Sequence, residues 1–309
     1  MILIGTGAMA REYARVFHSM GQPFRVLGHT ESGTAAFADW MAAEGIRGEI
    51  VGDRRDVFSS GEPVVIAVAV TELYDVTKRA LCLGARDILV EKPGALYDIH
   101  LQGLRYYADV FRADVRVAYN RRFFHSVMAA RDLVRAHGLF HLFFCFGEDA
   151  AWVRRSGHPQ SVKDRWVVAN SSHVIDAALY IASALGDLEF YVDHPVACPA
   201  GIFTGVVQVR GGGVFQEIEY ATNWMTDHRW SITFWTDLEN HYELSPIDQL
   251  WKVGLTGERR LLTEEPAGGL KPGLLAEVKS FMGDRVGLPT IHEHSEFHTL
   301  LCQIGGLAP

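Results

Sequence analysis

The chain has 309 residues, of which 48% are hydrophobic, and a formal net charge of -8 at pH 7. This length predicts two domains or one large one, and the acidic balance argues against a nucleic-acid partner because no basic surplus neutralises phosphates. The longest apolar run, residues 64–70, is too short to span a bilayer, so we expect a cytoplasmic protein without a targeting or membrane segment. The four cysteines form no Cys-x-x-Cys motif and are expected to be free thiols.

The first third of the chain alternates short apolar runs with stretches of helical periodicity. The predicted strands cover residues 2–4, 24–27, 64–70, 87–90 and 115–118. The predicted helices cover residues 8–19, 33–43, 72–84 and 97–112. Apolar strands without alternation are typical of a parallel sheet that is buried on both faces. The pattern therefore predicts a doubly wound, dinucleotide-binding Rossmann domain over residues 1–118.

Residues 119–309 follow a different pattern and are predicted to form a second, α+β domain. Its predicted strands cover residues 139–146, 205–210, 214–221, 230–236, 241–244 and 250–253, joined by short links. Along residues 214–220 apolar and polar side chains mostly alternate, as in an antiparallel sheet with one covered face. Predicted helices over residues 126–137 and 173–185 are expected to cover this open, mainly antiparallel sheet or to face the first domain. The fold class is therefore α/β followed by α+β.

The first ten residues carry the strongest functional motif. An apolar run leads into Gly5-Thr6-Gly7-Ala8-Met9-Ala10, a Gly-x-Gly-x-x-Ala pattern between a predicted strand and a predicted helix. Gly5 allows a tight turn, Gly7 lets the backbone approach a pyrophosphate, and the free N–H groups of the helix start face the phosphates. A tight turn without a ligand is the alternative interpretation. The motif predicts a dinucleotide site.

A second motif, Glu91-Lys92-Pro93, directly follows the predicted strand over residues 87–90. It therefore lies at the carboxyl end of a parallel strand, the edge where ligands bind in open α/β sheets. A lysine there can lose part of its solvation and exchange a proton with a substrate hydroxyl. The alternative is an ordinary solvated lysine before a proline.

A third motif, Asn170-Ser171-Ser172-His173-Val174-Ile175-Asp176, spans a predicted helix start. We expect one of its first three residues to cap the helix, which would place His173 in the first turn and Asp176 on the same face. The positive helix end favours a neutral imidazole, and Asp176 would orient the ring, an arrangement that suits a general base. A histidine of the capping turn without function is the alternative.

These three motifs, in this order and spacing, resemble the Gfo/Idh/MocA oxidoreductase family. Two further segments support the resemblance, Tyr-Asn-Arg-Arg-Phe over residues 119–123 and the predicted late helix over residues 271–281. The likeness covers essentially the whole chain. It implies a Rossmann domain joined to a domain with an open sheet, with NAD or NADP bound at the first and a sugar or polyol derivative bound between the two. The amino-acid sequences of residues 119–123 and 170–176 resemble those of family members encoded among bacterial surface-polysaccharide genes.

By residue-by-residue transfer, the resemblance implies that Lys92, His173 and Asp176 are the catalytic residues. It further implies cofactor contacts from Gly5, Thr6, Gly7, Ala8, Met9, Glu91 and Lys92. Family members often carry an acidic residue at the end of the second strand, where this chain has His29. His29 and Thr30 would suit a 2′-phosphate, so NADP is expected at least as strongly as NAD, with Glu31 as a displaced ribose ligand. A second departure is Thr71-Glu72-Leu73-Tyr74, where the family often has a proline and a histidine.

Several polar residues near these motifs are candidates for the substrate site. We expect substrate contacts from Asn120, Arg121, Trp152, Lys163 and Asn170. Of Arg121 and Arg122, one is expected to face the site and the other water. A metal site at His292, His294 and His298 is a weaker alternative to an ordinary terminal helix, so no metal is predicted. Trp224, Trp230 and Trp235 are interpreted as packing residues, in the core or against a second subunit.

The sequence therefore predicts an NAD(P)-dependent oxidoreductase that acts on a secondary alcohol or ketone of a sugar, sugar nucleotide or related polyol or acid. His173 would take or give the hydroxyl proton, Lys92 would bind the developing oxyanion, and Asp176 would fix the ring. Two alternatives remain: a glycosidase-type enzyme of the same family that recycles its nicotinamide, and a dinucleotide-binding regulator without turnover. We expect a homodimer or higher homo-oligomer formed through the sheet of the second domain.

Overall fold

The computed structural model describes residues 1–52, 57–58, 61–198, 200–266 and 268–308. The chain divides into two compact units, Met1–Asn120 with Gly268–Glu296, and Arg121–Ala267 with Phe297–Pro309. The predicted domain boundary after residue 118 lies close to the first division. Residues 268–296, which the sequence pattern assigns to the second domain, are counted with the first unit instead. The reason is a helix in this segment that packs against the first helix of the chain.

The first unit contains a six-stranded sheet with the order β3-β2-β1-β4-β5-β6, in which every neighbouring pair is parallel. This order confirms the predicted doubly wound sheet. Its strands are β1 (Ile2–Ile4), β2 (Arg25–Leu27), β3 (Glu49–Val51), β4 (Val64–Ile66), β5 (Asp87–Glu91) and β6 (Asp114–Ala118). The sequence pattern missed the three-residue edge strand β3. It also made β4 too long, because after Ile66 the chain leaves the sheet and forms a 3-10 turn at Val70–Glu72.

The helices of the first unit follow the strands closely, as the periodicity predicts. They are α1 (Ala8–Ser19), α2 (Glu31–Ala43), α3 (Leu73–Cys82) and α4 (Asp98–Phe111). Helix α1 buries Ala10, Tyr13, Ala14 and Phe17, whose spacing places them on one helical face. Later in the chain, α9 (Leu274–Met282) packs against α1, and α10 (Ile291–Gly305) crosses the division between the two units.

The second unit contains an eight-stranded sheet with the order β14-β13-β12-β11-β7-β10-β9-β8. Its pairs are antiparallel except for β7 and β10, which run parallel, so the sheet is mainly antiparallel as predicted. The two edge strands, β8 and β14, were not predicted, because their side chains are largely exposed or half-buried and give no clean alternation. The strands are β7 (His141–Phe146), β8 (Glu189–Cys198), β9 (Ile202–Gly211), β10 (Val214–Asn223), β11 (Trp230–Trp235), β12 (His241–Leu244), β13 (Gln249–Val253) and β14 (Arg259–Glu264).

Helices cover one face of this sheet. The long ones are α5 (His125–His137), which packs on β12, β13 and β14, and α8 (Ser172–Ala182), which packs on β7 and β11. Two short helices, α6 (Ala150–Arg155) and α7 (Gln160–Asp164), precede α8. On β10, Ile218 and Tyr220 are buried whereas Glu217 and Glu219 are exposed, which confirms the predicted alternation.

None of the described helices is long and apolar enough to cross a membrane. All four cysteines are free, as predicted, with Cys82 and Cys198 exposed and Cys145 and Cys302 buried.

Candidate active site

The loop after β1 has the geometry that a dinucleotide site requires. Gly5 has a φ of 123°, and a Cβ there would lie 2.2 Å from the carbonyl oxygen of Ala67, so only glycine fits. Gly7 is the N-cap residue of α1, and no side chain caps this helix. Gly7 and Ala8 are exposed, and the space beside Gly7 is open. The first N–H groups of α1 are therefore available to an anion.

The segment after β2 packs against this loop. A Cβ on Gly28 would lie 2.0 Å from Thr34 Oγ1 and 3.1 Å from Thr6 Cγ2, so the two loops approach closely only because residue 28 is glycine. Thr30 is the N-cap of α2, and its Oγ1 accepts a hydrogen bond from the Gly33 N–H at 3.1 Å. His29 and Thr30 are both exposed.

The Glu91-Lys92-Pro93 motif lies at the carboxyl end of β5, as predicted. Since β4 alone separates β5 from β1, the lysine and the glycine loop belong to the same edge of the parallel sheet. From α10, the buried His294 donates from Nε2 to the Pro93 carbonyl oxygen at 2.6 Å. His294 therefore fixes the backbone next to Lys92.

A buried acidic network lies behind this motif, and the sequence pattern did not reveal it. The Tyr13 hydroxyl lies 2.9 Å from Glu91 Oε1 and 3.2 Å from Glu277 Oε2, which brings together α1, β5 and α9. Tyr13 and Glu277 have no exposed surface. Burial raises the pKa of Glu277 well above its usual range, with a further contribution from the charge of Glu91. Burial also raises the pKa of Glu91, opposed by the Tyr13 hydrogen bond and then by Lys92 and Lys271.

Elementary valence assigns the proton in this network. A tyrosine hydroxyl carries one hydrogen and can donate to only one of the two carboxyl groups. The second contact also needs a hydrogen, and Glu277 has the more strongly raised pKa. The direction of these pKa shifts favours a proton on Glu277, which would then donate to Tyr13 while Tyr13 donates to the Glu91 carboxylate.

In the second unit, His173 lies in the first turn of α8 and is 9% exposed. The expected cap is wrong, because residues Val167–Ser171 form a π-helical turn that continues directly into α8 and no side chain caps the helix. The N–H groups before His173 are therefore largely inside helical structure rather than at a free positive end. The helix-dipole argument for a neutral imidazole therefore does not apply here.

Asp176 is 1% exposed and is held by Arg122. Arg122 donates from Nη2 to Oδ1 at 2.7 Å and from Nε to Oδ2 at 2.8 Å, so one guanidinium binds both carboxylate oxygens. Burial raises the pKa of Asp176, opposed by the charge and the hydrogen bonds of Arg122. We expected one of Arg121 and Arg122 to face water. Arg122 does not, because its side chain is 18% exposed and ion-paired with Asp176.

The π-helical turn directs two polar side chains at Glu148, which follows β7. Glu148 Oε1 accepts from Ser171 Oγ at 2.8 Å, from Asn170 Nδ2 at 3.0 Å and from Trp230 Nε1 at 3.2 Å. Burial raises the pKa of Glu148, and these donors oppose the rise. The Arg121 guanidinium lies 4.1 Å from the centre of the Trp230 ring, and the His173 ring lies 6.2 Å from it.

Two members of this group, Arg121 and Asn170, were predicted site residues. The other two, Glu148 and Trp230, were not predicted to belong to a site. Glu148 follows an apolar strand as a single acidic residue, and Trp230 has the pattern of a packing residue, so neither had a distinguishing signal. The nearest available signal was position, since Glu148 follows the end of a strand.

The other predicted residues make different contacts. Asn120 is buried in the first unit, where its Nδ2 donates to the Pro272 carbonyl at 3.0 Å. Trp152 is 51% exposed on α6, and its ring lies 5.8 Å from that of Trp166. Lys163 on α7 donates to the Arg154 carbonyl at 3.0 Å. Met9, at the start of α1, has its sulfur 2.8 Å from Lys271 Nζ.

The three histidines of α10 make separate contacts. His292 lies 3.1 Å from Asp109, His294 contacts Pro93, and His298 Nδ1 lies 3.7 Å from the sulfur of Cys302. Across the described part of the chain, no group of three or more potential ligands has the geometry to hold a metal ion.

Comparison with solved structures identifies the fold. UDP-N-acetylglucosamine 3-dehydrogenase from Acidithiobacillus ferrooxidans is 13% identical, with 99% of this chain and 96% of that chain covered and a TM-score of 0.67. An inositol dehydrogenase homolog from Azotobacter vinelandii, complexed with NAD+, is 14% identical over 99% and 94% of the two chains, with a TM-score of 0.69. Biliverdin reductase from Synechocystis sp. PCC 6803, complexed with biliverdin and NADP+, is 16% identical over 99% and 97%, with a TM-score of 0.62.

No protein-family model and no curated protein matches the sequence. At these identities the likeness is one of fold, and it extends over nearly the full length of each chain. A parallel sheet with the order 3-2-1-4-5-6 and a mainly antiparallel eight-stranded sheet are thus arranged along the chain as in those dehydrogenases and reductases. The chain has the fold of the Gfo/Idh/MocA-type oxidoreductases, the family that its motifs resemble.

Proposed function

We propose that this chain is an NAD(P)-dependent oxidoreductase that transfers a hydride between the nicotinamide and a secondary alcohol or ketone of a sugar, sugar nucleotide or related polyol or acid. One observation carries the proposal. An uncapped helix start with an open glycine position and a lysine that follows β5 occupy the same edge of one parallel sheet. That edge is where cofactors bind in this class of sheet.

The first unit would hold the cofactor. The N–H groups of residues 6–9 would bind the pyrophosphate, since Gly7 and Ala8 are exposed and α1 has no side-chain cap. His29 and Thr30, exposed at the start of α2, would contact the adenosine ribose or its 2′-phosphate. Because no carboxylate ends β2, we expect NADP at least as strongly as NAD, with Glu31 as the ribose ligand in the second case.

Lys92 and His173 would handle the substrate proton. Lys92 follows Glu91, whose carboxylate accepts a hydrogen bond from the Tyr13 hydroxyl. This bond fixes the backbone next to Lys92. His173 is nearly buried beside Trp230, and its imidazole would exchange the hydroxyl proton as a general acid or base. We assign Asp176 to the ion pair with Arg122, which fixes the helix that carries His173.

The proteins of like fold support the substrate class. Two of those named above are a UDP-N-acetylglucosamine dehydrogenase and an inositol dehydrogenase homolog, whose names specify hydroxylated rings. We extend this substrate class to the present chain. We further propose that the chain acts in surface-polysaccharide biosynthesis, because the sequences of residues 119–123 and 170–176 resemble those of family members with that role. A second copy of the chain would pack on the exposed face of the second sheet, where Phe215 is 62% exposed.

The first experiment is a titration of the protein with NADH and with NADPH, followed by nicotinamide fluorescence. We expect micromolar binding of at least one, and a preference for NADPH would assign His29 and Thr30 to the 2′-phosphate. If neither cofactor binds below millimolar concentration, the proposed function is wrong. Turnover then separates the roles: Lys92→Ala and His173→Ala should both abolish hydride transfer, and His173→Ala should leave cofactor affinity within about threefold. Retained turnover in both variants would refute their catalytic assignment.

A further inference from the structure

The second unit contains two buried or half-buried carboxylates near His173, and they differ in what they bind. Asp176 is 1% exposed, and both of its carboxylate oxygens accept hydrogen bonds from Arg122. Glu148 is half-buried and is held by Asn170 and Ser171, from the turn that leads into His173. Only Glu148 combines fixed orientation with an accessible surface.

The hydrogen bonds on Glu148 are unequally shared between its oxygens. Oε1 accepts all three donors, from Asn170, Ser171 and Trp230. The Trp166 side chain is a further neighbour that lowers the pKa of Glu148, but within the described part of the chain no hydrogen bond of ordinary geometry ends on Oε2. A carboxylate has about four lone-pair sites, so Glu148 keeps acceptor capacity for a ligand while one oxygen anchors it.

Arg121 adds a donor beside this carboxylate. Its guanidinium lies 4.1 Å from the centre of the Trp230 ring, and among the described residues it forms neither an ion pair nor a hydrogen bond. Burial lowers the pKa of Arg121 to about 10, opposed by the charges of Glu148 and Asp248, so the group stays charged at neutral pH. A half-buried guanidinium without a bonding partner costs solvation energy that a bound ligand would recover.

We propose that Glu148, Arg121 and Trp230 form a substrate subsite next to His173, and that Glu148, rather than Asp176, is the carboxylate that contacts the substrate. This inference deepens the proposed function and rests on it for the link to turnover. The ligand it fits is a ring that carries neighbouring hydroxyl groups. Glu148 accepts hydrogen bonds from the hydroxyls and the Arg121 guanidinium donates to their oxygens, while the edge of the indole contacts the C–H groups of the ring.

The Glu148 carboxylate also determines which ligands the subsite selects. A carboxylate that accepts from a ring hydroxyl rejects an analogue in which that hydroxyl is replaced by hydrogen, because the charged acceptor is then left without its donor. Glu148 is therefore a specificity-determining residue, and its loss should affect binding of hydroxylated rings more than it affects the fold.

The test uses Glu148→Gln, which keeps the size of the side chain and one acceptor oxygen for the anchoring donors. The probes are myo-inositol and UDP-N-acetylglucosamine, and their binding is measured by calorimetry, without cofactor and with NADPH or NADH. Because all residues of the subsite belong to the second unit, binding without cofactor tests the subsite even if the proposed function is wrong. Asp176→Asn is the matched variant at the other carboxylate.

For Glu148→Gln we expect at least one probe to bind roughly 10- to 100-fold more weakly, as for the loss of a hydrogen bond to a charged group, with an unchanged melting temperature and unchanged NADPH affinity. In turnover the change should fall mainly on KM. Asp176→Asn should lower the melting temperature and leave probe affinity within about threefold at a temperature where it is folded. Unchanged probe binding in Glu148→Gln, or no binding of either probe to the unaltered protein, would overturn the subsite.

Discussion

Arg122 and Asp176 form a two-point ion pair inside the second unit, with one guanidinium bound to both oxygens of a carboxylate that is 1% exposed. Arg122 precedes α5 and Asp176 lies in α8, so the pair ties these two helices together. The Arg122 guanidinium also lies 4.8 Å from the centre of the Tyr180 ring on the same helix. The orientation of α8, and with it of His173, therefore depends on this pair.

Removing the acid should destabilise the second unit strongly. We expect Asp176→Asn to lower the free energy of unfolding by about 3–5 kcal/mol, because it leaves the Arg122 charge with little water and no carboxylate. Chemical denaturation followed by circular dichroism measures this. The matched control is Asp132→Asn, which breaks the exposed Asp132–Arg135 pair and should cost less than about 0.5 kcal/mol. Equal effects of the two substitutions would show that burial of the first pair has no energetic weight.

The raised pKa of Glu277 predicts a pH dependence of stability. Its pKa in the folded protein is raised, so the folded state binds the proton more tightly than the unfolded state. Stability from this group is full below the ordinary glutamate pKa of 4.5 and is lost as the pH rises through the folded pKa. Glu277→Gln keeps a neutral donor for Tyr13 and removes the titration.

Relative to the unaltered protein, the Glu277→Gln variant should therefore gain stability as the pH rises, by about 1.4 kcal/mol for each unit by which the pKa is raised. Melting temperatures measured from pH 5 to pH 9 give the difference. Glu239→Gln, at an exposed position, is the control and should show a constant difference. A constant difference for Glu277→Gln as well would mean that the proton is not where the geometry of Tyr13 assigns it.

The two glycines of the first loop should respond differently to alanine. Gly5→Ala places a Cβ 2.2 Å from the Ala67 carbonyl oxygen at a positive φ, so it should cost at least roughly 1–3 kcal/mol of stability. Gly7→Ala meets only open space at an extended φ, so stability should change by less than about 1 kcal/mol. Fluorescence titration with NADPH should nevertheless show at least about tenfold weaker binding for Gly7→Ala. Unchanged affinity would place the pyrophosphate elsewhere.

Thr30 offers a test of cofactor choice that preserves the fold. Because Asp is as good an N-cap residue as Thr, Thr30→Asp keeps the bond to the Gly33 N–H and the start of α2. The new carboxylate should repel a 2′-phosphate and bind ribose hydroxyls, so NADPH affinity should fall by about tenfold or more while NADH affinity is kept or improved. His29→Ala, measured in parallel, reports on the neighbouring side chain. The assignment fails if both cofactors bind Thr30→Asp as they bind the unaltered protein.

Much of the fold was predictable because the elements that matter have strong local patterns. Helix α1 and β1 match their predicted bounds, and β12 does so as well, since each combines clear periodicity with clear boundaries. The missed strands β3, β8 and β14 all lie at sheet edges, where half-exposed residues blur the alternation on which such predictions depend. The parallel pairing of β7 with β10 depends on long-range order that no local pattern encodes.

For the candidate site, the sequence alone proposes residues where a motif is contiguous, as for Gly5 to Met9, for Lys92 and for His173, and their roles stay predictions. The site was not predictable where partners come from distant segments. Tyr13 and Glu277 occupy core positions of two helices and are 264 residues apart, and only the tertiary structure shows that they form a hydrogen bond. The wrong cap before His173 has a local cause, because Asn170 and Ser171, typical capping residues, bind Glu148 instead.

Residues 268–296 complete the first unit although they are made after the whole eight-stranded sheet of the second. During synthesis, the hydrogen bond between Tyr13 and Glu277 cannot form until roughly half of the protein has been added after residue 120. A fragment that ends at residue 120 therefore lacks α9 and leaves a face of α1 uncovered. For gene dissection this makes residues 121–267, the larger part of the second unit, an insertion within the first, so excising the first unit requires joining residue 120 to residue 268 by a linker and ending the chain at residue 296.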